Sequence, residues 1–337
     1  MTELVGTPAA AGFAMPPEWA PHERTLMAWP CRQDMWQQQL ATAKEQYAGV
    51  ANAIVAFEPV TMVCADAADL AEARHALSAG VELLELPMDD SWLRDSGPVF
   101  VTDAAGRRAG VHFGFNAWGE KFAPWDKDAA VGALLVEHLG DPLFRAPLIL
   151  EGGSLSVDGA GRLVTTEQCL LHPSRNPSLT AEQIAAHLRE QLGVSEVIWL
   201  GRGLVEDRDT DGHVDLIAAF TAPGQLLLQS CPAGDPNHES TVENRARALA
   251  AGLDVLDFPF LARPAVGGEV VGASYLNFTI VNGAVIVPTA GVATDADALA
   301  VIAQAYPRHE VVGVPAEVIA WGGGGPHCIT QQVPGKA

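Results

Sequence analysis

Residues 276–288 read Leu276-Asn-Phe-Thr-Ile-Val-Asn-Gly-Ala-Val-Ile-Val-Pro288, two apolar runs on either side of the pair Asn282-Gly283. An Asn-Gly pair between such runs is a strong signal for a β-hairpin with a two-residue turn. Three further segments have the same pattern, with turns at residues 103–106, 158–161 and 223–224. We therefore predict four antiparallel strand pairs, over residues 98–113, 154–166, 216–230 and 276–288.

These hairpins recur at a nearly constant spacing. Their turns centre near residues 105, 160, 223 and 283, which are 55, 63 and 60 residues apart. Helical patterns lie between them, and in one of these Thr180 and Gln183 have the spacing of a capping box, with Gly193 as a stop signal. A hairpin and a helix in each repeat indicate ββαβ-like units packed around an axis, with room for about five. The predicted helices cover residues 35–57, 67–78, 129–139, 180–192, 240–251 and 294–306.

No long polar linker interrupts these repeats. We therefore predict an α/β fold with a single domain over residues 16–337. Residues 1–15 precede the first repeat, and we expect them to be loose, as chain ends often are.

The chain is strongly acidic: 20 Lys and Arg against 41 Asp and Glu give its 337 residues a net charge of −21. Such a surface repels nucleic acid and anionic lipid and favours a small cationic partner. We find no uncharged apolar run of about 18 residues and no secretory leader, so we expect no membrane span. Five cysteines without a C-x-x-C pair favour a reducing cytoplasm over disulfides or a zinc knuckle. A homodimer is possible, and the sequence does not decide the oligomeric state.

A cysteine follows four consecutive glycines near the end of the chain, in Gly322-Gly-Gly-Gly-Pro-His-Cys328-Ile. Glycine has no side-chain bulk, so the backbone there can approach a ligand closely. The sulfur of Cys328 is thus a candidate nucleophile. A mobile glycine tail and a buried, inert thiol are the alternatives.

A His-x-Asp pair, His213 and Asp215, opens the third hairpin. We predict that it lies on a strand, which would place both side chains on one face. An imidazole beside a carboxylate can transfer protons near neutral pH. The preceding residues, 207–212, also resemble the first half of a calcium loop, but Ala218 stands where a bidentate Glu is required. A calcium-binding protein without catalysis therefore stays as the non-enzymatic alternative, and we expect no metal.

Three acids, a Trp and an Arg share residues 88–98, Met88-Asp-Asp-Ser-Trp-Leu-Arg-Asp-Ser-Gly-Pro98. Carboxylates beside an indole suit a delocalised cation, because the acids accept its N–H groups and the ring stacks on its plane. A solvated turn is the alternative, although an exposed Trp92 would be unusual. Glu151 and Asn277 are further candidates, with a structural hydrogen-bonding role as the alternative for both.

In their order along the chain, these motifs resemble the agmatine deiminase and porphyromonas-type peptidyl-arginine deiminase family of the pentein, or guanidine-modifying, superfamily. The resemblance implies a five-bladed pseudo-symmetric α/β propeller that hydrolyses a guanidinium compound without a metal or cofactor. The matching residues are 88–98, 115–118, 151–154, 209–215, 274–278 and 322–332.

The resemblance also implies roles for single residues. Cys328 would be the nucleophile and His213 the general acid and base, with Asp90 and Asp215 as the guanidinium-binding carboxylates. The implied reaction passes through a covalent thiouronium and converts agmatine to N-carbamoylputrescine and ammonia. The alternatives are a deiminase of arginine, peptidyl-arginine or another alkylguanidine, and an amidinotransferase. The substrate-binding candidates are Trp92, Trp118, Asp209, Asn277 and Glu151.

Four positions depart from the family pattern near the expected pocket. Arg208 stands where an acid is common, Pro326 where Asn or Ile is usual, and the residues after Asp215 include Leu216 and Ala218. These departures do not change the candidate catalytic residues. They concern the part of the pocket that would bind the end of the substrate opposite its guanidinium.

Overall fold

A computed structural model describes residues 2–336, in which short strands alternate with helices. The strands are β1 (Phe13–Ala14), β2 (His22–Ala28), β3 (Val60–Cys64), β4 (Val81–Glu85), β5 (Val99–Asp103), β6 (Arg108–Gly114), β7 (Leu143–Ile149), β8 (Ser156–Val157), β9 (Arg162–Thr166), β10 (Glu196–Leu200), β11 (Ala218–Ala222), β12 (Gln225–Gln229), β13 (Asp254–Phe258), β14 (Ala265–Val266), β15 (Glu269–Val270), β16 (Thr279–Val281), β17 (Ala284–Thr289), β18 (Glu310–Pro315) and β19 (Thr330–Pro334).

The α-helices fall between these strands, with 3₁₀ turns at Ala9–Ala11, Gln37–Gln39, Gly152–Ser154 and Val214–Leu216. They are α1 (Gln33–Trp36), α2 (Leu40–Ile54), α3 (Ala67–Ala76), α4 (Leu93–Ser96), α5 (Ala117–Glu120), α6 (Asp128–His138), α7 (Glu167–Leu170), α8 (Ala181–Leu192), α9 (His238–Ala250), α10 (Asp295–Ala305) and α11 (Glu317–Trp321).

Five of the sheets share one arrangement, an antiparallel strand pair followed through a helix by a parallel strand. Four of them follow the chain directly, as β5-β6-β7, β8-β9-β10, β11-β12-β13 and β16-β17-β18. In the fifth, β19 near the C-terminus pairs antiparallel with β2, and β3 then adds in parallel. The ββαβ order predicted from the hairpin spacing is therefore present, and the two ends of the chain meet in one sheet.

The predicted start and end of α8, which depend on hydrogen bonds between neighbouring residues, are confirmed. The side chain of Thr180 accepts the N–H of Gln183 and the reciprocal bond is present, so α8 begins with the predicted capping box. Gly193 ends α8 with a left-handed φ of 65°. The helix predicted over residues 35–57 is instead split into α1, a 3₁₀ turn and α2, because Gln37 has a φ of 50°.

Three of the predicted hairpins begin later than expected. Their first strands start at Ser156, Ala218 and Thr279, each two or three residues beyond the predicted position. The residues before them lie in turns, and those turns carry Glu151, His213 and Asn277. The missing strand residues thus belong to the segments that position the candidate site.

Residues 2–15 are mostly exposed but make some contacts with the rest of the chain, and the loose segment expected over residues 1–15 stays a prediction. Phe13–Ala14 pairs antiparallel with β5, and the side chains of Phe13 and Met15 are buried. The N–H of Leu4 also donates to the carbonyl of Leu143 at 2.8 Å. Residue 1 lies outside the described residues.

The largest hydrophobic cluster reaches from the outer helices to the nucleophile candidate. It joins Ile54 and Tyr47 of α2 to Trp92, Trp118 and Cys328. Burying a side chain such as Ile54 contributes about 1.5–3 kcal/mol, so the core and the site are stabilised by the same packing. Among the helices of residues 2–336, none is both long and apolar enough to cross a bilayer.

Candidate active site

The glycine run after α11 lets the chain turn tightly beneath Cys328. A Cβ at Gly324 would lie 2.7 Å from the Cβ of Cys328 and 2.7 Å from the ring of Trp92, and a Cβ at Gly325 would lie 2.8 Å from Oδ1 of Asn277. Contacts this short exclude any side chain. The glycines therefore bring the cysteine, the indole and the amide together, and Cys328 itself is buried.

Asn277 fixes the loop that carries the cysteine. Its Oδ1 accepts the N–H of Cys328 at 3.2 Å, and its carbonyl accepts the N–H of His327 at 3.0 Å. Its Nδ2 donates to the carbonyl of Asp215 at 3.3 Å. Because both amide atoms are engaged within the protein, Asn277 is placed as the structural support that we gave as its alternative role.

The thiol of Cys328 lies against a carboxylate. Its Sγ donates to Oδ2 of Asp215 at 3.3 Å, while Oδ1 of Asp215 is buried without a hydrogen-bond partner among the described residues. Burial, followed by the negative charges of Asp215 and Asp95, raises the pKa of the Cys328 thiol well above its usual range. The sulfur is therefore protonated at neutral pH in the free protein.

His213 enters the site from a turn, which corrects the predicted strand. It immediately precedes the 3₁₀ turn Val214–Leu216, and Asp215 lies within that turn. The loop before it is folded by Asp207, whose Oδ2 accepts the N–H groups of Gly212 at 2.7 Å and His213 at 3.3 Å. Its Oδ1 accepts N–H groups as well, so Asp207 acts as a backbone cap.

The imidazole of His213 lies between two carboxylates. Nδ1 is 3.8 Å from Oδ1 of Asp95, and Nε2 is 3.8 Å from Oε2 of Glu151. The ring is fully buried, and burial alone would lower its pKa, but the charge of Asp95, followed by the contacts with Cys169 and Glu151, raises the pKa of His213 well above its usual value. Neither ring nitrogen has a hydrogen-bond partner among the described residues.

Asp95, and not Asp90, is the acid of residues 88–98 that reaches this site. A Cβ on Gly153 would lie 2.5 Å from Nδ1 of His213, 2.9 Å from Oδ2 of Asp215 and 3.0 Å from Oδ1 of Asp95, so these three groups converge at one glycine. Asp95 also lines the cavity that contains Cys328. The prediction for Asp90 is therefore wrong in its placement.

Asp90 occupies a separate buried position. Its Oδ1 accepts the N–H of Ser91 at 2.7 Å, and its Oδ2 has no partner among the described residues. Burial raises the pKa of Asp90 to about 6. The charges of Arg32, Asp34 and Asp128 interact with it.

Two tryptophans form walls of the cavity. Trp92 stacks on Trp36 with ring centroids 5.6 Å apart and planes 21° apart. Nε1 of Trp118 donates to Oδ2 of Asp95 at 2.9 Å, which fixes that carboxylate. The cavity is lined by Met35, Trp92, Asp95, Trp118, Phe122, Asp209, Thr210, Gly322, Gly323 and Cys328.

A larger outer cavity adjoins the first and shares Asp209 and Gly323 with it. Glu206 and Arg208 also line this outer space. Glu206 is paired with Arg263 at 2.8 Å, whereas the carboxylate of Asp209 takes part in none of the ion pairs among the described residues. The departures at Leu216 and Ala218 are buried, and Leu216 contributes to the outer wall. Pro326 is also buried, with its carbonyl accepting the hydroxyl of Thr330 at 2.8 Å.

Glu151 is held by a buried cation. Nε of Arg175 donates to its Oε1 at 2.7 Å, and the same guanidinium pairs with Asp211 at 2.8 Å. Ligand atoms of Glu151, Cys169 and His213 lie within 4.8 Å of one another, which makes them a candidate metal group among the described residues. Arg175 already neutralises Glu151, and burial raises the pKa of the Cys169 thiol to about 11.

A sequence model of the porphyromonas-type peptidyl-arginine deiminase family matches residues 14–334. The chain belongs to this family. This family member is 43% identical to the agmatine deiminase of Stutzerimonas stutzeri (strain A1501), with 99% of each chain covered. The agmatine deiminase structure of Enterococcus faecalis has a TM-score of 0.93 to it at 34% identity, covering all of both chains. A DDAH structure from Pseudomonas aeruginosa, at 14% identity and a TM-score of 0.50, shares the fold alone.

The sequence analysis did not identify four charged groups of the site. They are Asp95, Arg175, Glu18 and His327. Asp95 belongs to the motif at residues 88–98, which contains three acids. The sequence does not show which of them the turn at α4 directs toward the site. Arg175 and Glu18 gave no local signal, because their partners Glu151 and His327 are 24 and 309 residues away. His327 was quoted only as the neighbour of Cys328, although its position between four glycines and a nucleophile was itself a signal.

Proposed function

We propose that this protein hydrolyses agmatine to N-carbamoylputrescine and ammonia through a covalent intermediate on Cys328. One observation carries the proposal: Sγ of Cys328 lies 3.3 Å from Asp215 in a cavity lined by Asp95 and Trp92. Asp215 and Asp95 in turn meet His213 at Gly153. A thiol, an imidazole and carboxylates grouped in this way match the needs of guanidinium chemistry. The agmatine deiminases named above support the choice of substrate.

Asp95 and Asp215 are the proposed guanidinium-binding carboxylates. Ionised carboxylates accept N–H groups in charge-assisted hydrogen bonds, and a planar guanidinium can be held by two at once. Oδ1 of Asp215 has no protein partner to displace. The indole rings of Trp92 and Trp118 offer flat faces to the cation and exclude water around it.

Charge balance explains how a thiol of high pKa becomes a nucleophile. Four cations and four carboxylates balance in the free site, so an additional negative charge on sulfur is unfavourable. Binding of a guanidinium adds one positive charge beside Cys328, and this favours release of the thiol proton to solvent. The balanced groups are His213, His327, Arg94 and Arg175 against Glu18, Asp95, Glu151 and Asp215.

The reaction then proceeds in two halves. The thiolate forms a bond to the guanidinium carbon, and His213 gives a proton to one amino group, whose C–N bond breaks to release ammonia. The resulting thiouronium is attacked by water, from which the neutral His213 takes a proton. The C–S bond breaks as the hydroxyl proton leaves, which yields the ureido product and restores the thiol. Fixed geometry and buried charges supply the rate enhancement, because a guanidinium is a weak electrophile.

The second amine of agmatine is assigned to the outer cavity. Asp209 lies where the two cavities meet, and burial together with the charge of Asp207 raises the pKa of its carboxyl. A bound ammonium would relieve that repulsion. A substrate carboxylate, as in arginine, would be repelled by Asp209 and attracted by Arg208, so the preference depends on which of these groups is nearer.

A panel assay tests the proposed function. Ammonia release is measured from agmatine, arginine, acetyl-arginine amide and simple alkylguanidines, with Cys328→Ala as the inactive control. We expect kcat/KM for agmatine to exceed that for each of the others. A higher value for arginine or the peptide analogue would refute the substrate while leaving the chemistry, and ammonia from none of them would refute both.

We propose in addition that the five similar sheets form the five-bladed propeller, in one catalytic domain over residues 16–337. The pairing of β19 with β2, which joins the ends of the chain, supports a closed ring. The five cysteines are thiols and not disulfides, which supports the proposed cytoplasmic location. Limited proteolysis tests the domain, because a single closed unit should resist internal cleavage until it unfolds.

A further inference from the structure

His327 lies between two carboxylates that bind both of its ring nitrogens. Nδ1 is 2.8 Å from Oδ2 of Asp215, and Nε2 is 2.8 Å from Oε1 of Glu18. A neutral imidazole carries one N–H, so it can donate only one hydrogen bond, whereas an ionised carboxylate can only accept. Two such bonds therefore require an imidazolium, or else a proton on one of the acids.

The surroundings favour the proton on the ring. Nη1 of Arg94 is 3.9 Å from Oε1 of Glu18, so that acid faces two cations. Burial opposes its ionisation, but His327 and Arg94 together lower the pKa of Glu18 to about 2. Burial likewise opposes ionisation of Asp215, and the hydrogen bond from His327 outweighs it, so the pKa of Asp215 lies below its usual value. Both acids are thus ionised at neutral pH.

The backbone fixes the position of this ring. The N–H of His327 donates to the carbonyl of Asn277 at 3.0 Å, and its carbonyl accepts Nε of Arg94 at 3.2 Å. Arg94 is held in turn by the side chain of Gln332 at 2.7 Å. The imidazole therefore has little freedom to leave Asp215, and only about 5% of the residue is exposed.

We propose that His327 is a positioning residue that stays protonated on both nitrogens and clamps Asp215 in its ionised form, leaving Oδ1 of Asp215 free for the guanidinium. The inference rests on the proposed role of Asp215 in substrate binding. His327 takes no part in the chemical steps; it occupies Oδ2, the oxygen that also faces the sulfur, and so determines which oxygen is available. Glu18 completes the clamp from the start of the chain.

The sign of the pH dependence follows from these contacts. His327 gains stability from its proton below its raised pKa, and this contribution is lost as the pH rises through that value. Asp215 contributes above its lowered pKa and loses its contribution as the pH falls through it. The titratable and charged groups that face the clamp are Glu18, His22, Arg94, His213, Asp215, Tyr306 and Cys328.

The first test examines the clamp without any substrate. Protein labelled with ¹⁵N in histidine is studied by NMR, and the signals of His327 are assigned by their loss in His327→Asn. We expect protons on both ring nitrogens of His327 at pH 7. A neutral tautomer with one ring proton would overturn the clamp, whatever the enzyme acts on.

The second test links the clamp to activity. In His327→Asn the amide can donate to Asp215 in place of Nδ1 but carries no charge, so Asp215 should be harder to ionise. We expect the acid limb of kcat/KM for agmatine to move to higher pH, with the ratio of kcat/KM at pH 8 to that at pH 5 rising about tenfold. A uniform fall at every pH would indicate a structural role and overturn the proposal.

Glu18→Gln is the matched variant. It removes the negative charge beside Nε2 but keeps an acceptor oxygen, so the imidazolium should lose its proton more readily and the alkaline limb of kcat/KM should move to lower pH. Thermal unfolding verifies that each variant is folded, and Glu18→Gln keeps the proposal testable should His327→Asn not fold. An unmoved alkaline limb would contradict the clamp. Wild-type protein that releases no ammonia from agmatine would instead refute the proposed function, and the NMR result would still stand.

Discussion

Replacing Asp95 with Asn should nearly abolish turnover, and the same change at Asp90 should not. Asp95 is buried, accepts the N–H of Gly153 at 2.9 Å and Nε1–H of Trp118 at 2.9 Å, and lies 3.8 Å from His213. Asparagine keeps the shape but removes the charge that would pair with a guanidinium.

The expected loss can be calculated from the cost of breaking a buried charge pair. Removing one partner of such a pair costs about 2–5 kcal/mol, and each 1.36 kcal/mol is tenfold in rate, so kcat/KM should fall by roughly 30-fold to several thousandfold. In Asp90→Asn, whose carboxyl lies outside the Cys328 cavity lining, we expect a change of less than about threefold, as is usual for a group that the substrate does not touch.

The assay is ammonia release from agmatine at pH 7.5, with thermal unfolding of both variants as the control for folding. Equal losses in the two variants would mean that the placement of the acids is wrong. A normal rate in Asp95→Asn with a large loss in Asp90→Asn would restore the assignment made from the sequence and refute the reasoning from geometry.

Three further outcomes are expected. Asp90→Asn should raise the unfolding temperature at pH 7.5 but not near pH 3, because a folded-state pKa of about 6 against the usual 3.8 makes ionisation destabilising as the pH rises; equal unfolding temperatures at pH 7.5 would contradict this. Alkylation of Cys328 by iodoacetamide should keep accelerating with pH beyond 9, because its thiol pKa is raised; a plateau near pH 7 would show a preformed thiolate. Arg208→Glu should increase the ratio of kcat/KM for agmatine to that for arginine if Arg208 binds a substrate carboxylate, and an unchanged ratio would mean that it faces solvent only.

The sequence predicted those features whose causes lie within a few residues. The Asn282-Gly283 hairpin and the Thr180 cap form from neighbouring groups, so their patterns were sufficient. Cys328 was recognisable because its glycines are needed for the close approach to Trp92 and Asn277.

The remainder of the site depends on contacts between distant parts of the chain. Which acid of residues 88–98 points inward is set by the turn of α4 against Gly153, and only the folded chain places Asp95 there. The strand predicted for His213 was wrong because Asp207 caps the backbone before it and forces a turn. Glu18 and His327 make contact although 309 residues separate them in the sequence, so no local pattern predicts their contact.

The central claim is that Cys328 forms a covalent bond to the guanidinium carbon during turnover. Intact-protein mass spectrometry of wild-type protein quenched in acid during turnover of agmatine tests this directly, followed by peptide mapping. We predict an adduct equal to agmatine less one ammonia, located on Cys328 and lacking in Cys328→Ala. Ammonia release by Cys328→Ala at a substantial fraction of the wild-type rate, or an adduct on another residue, would contradict the mechanism.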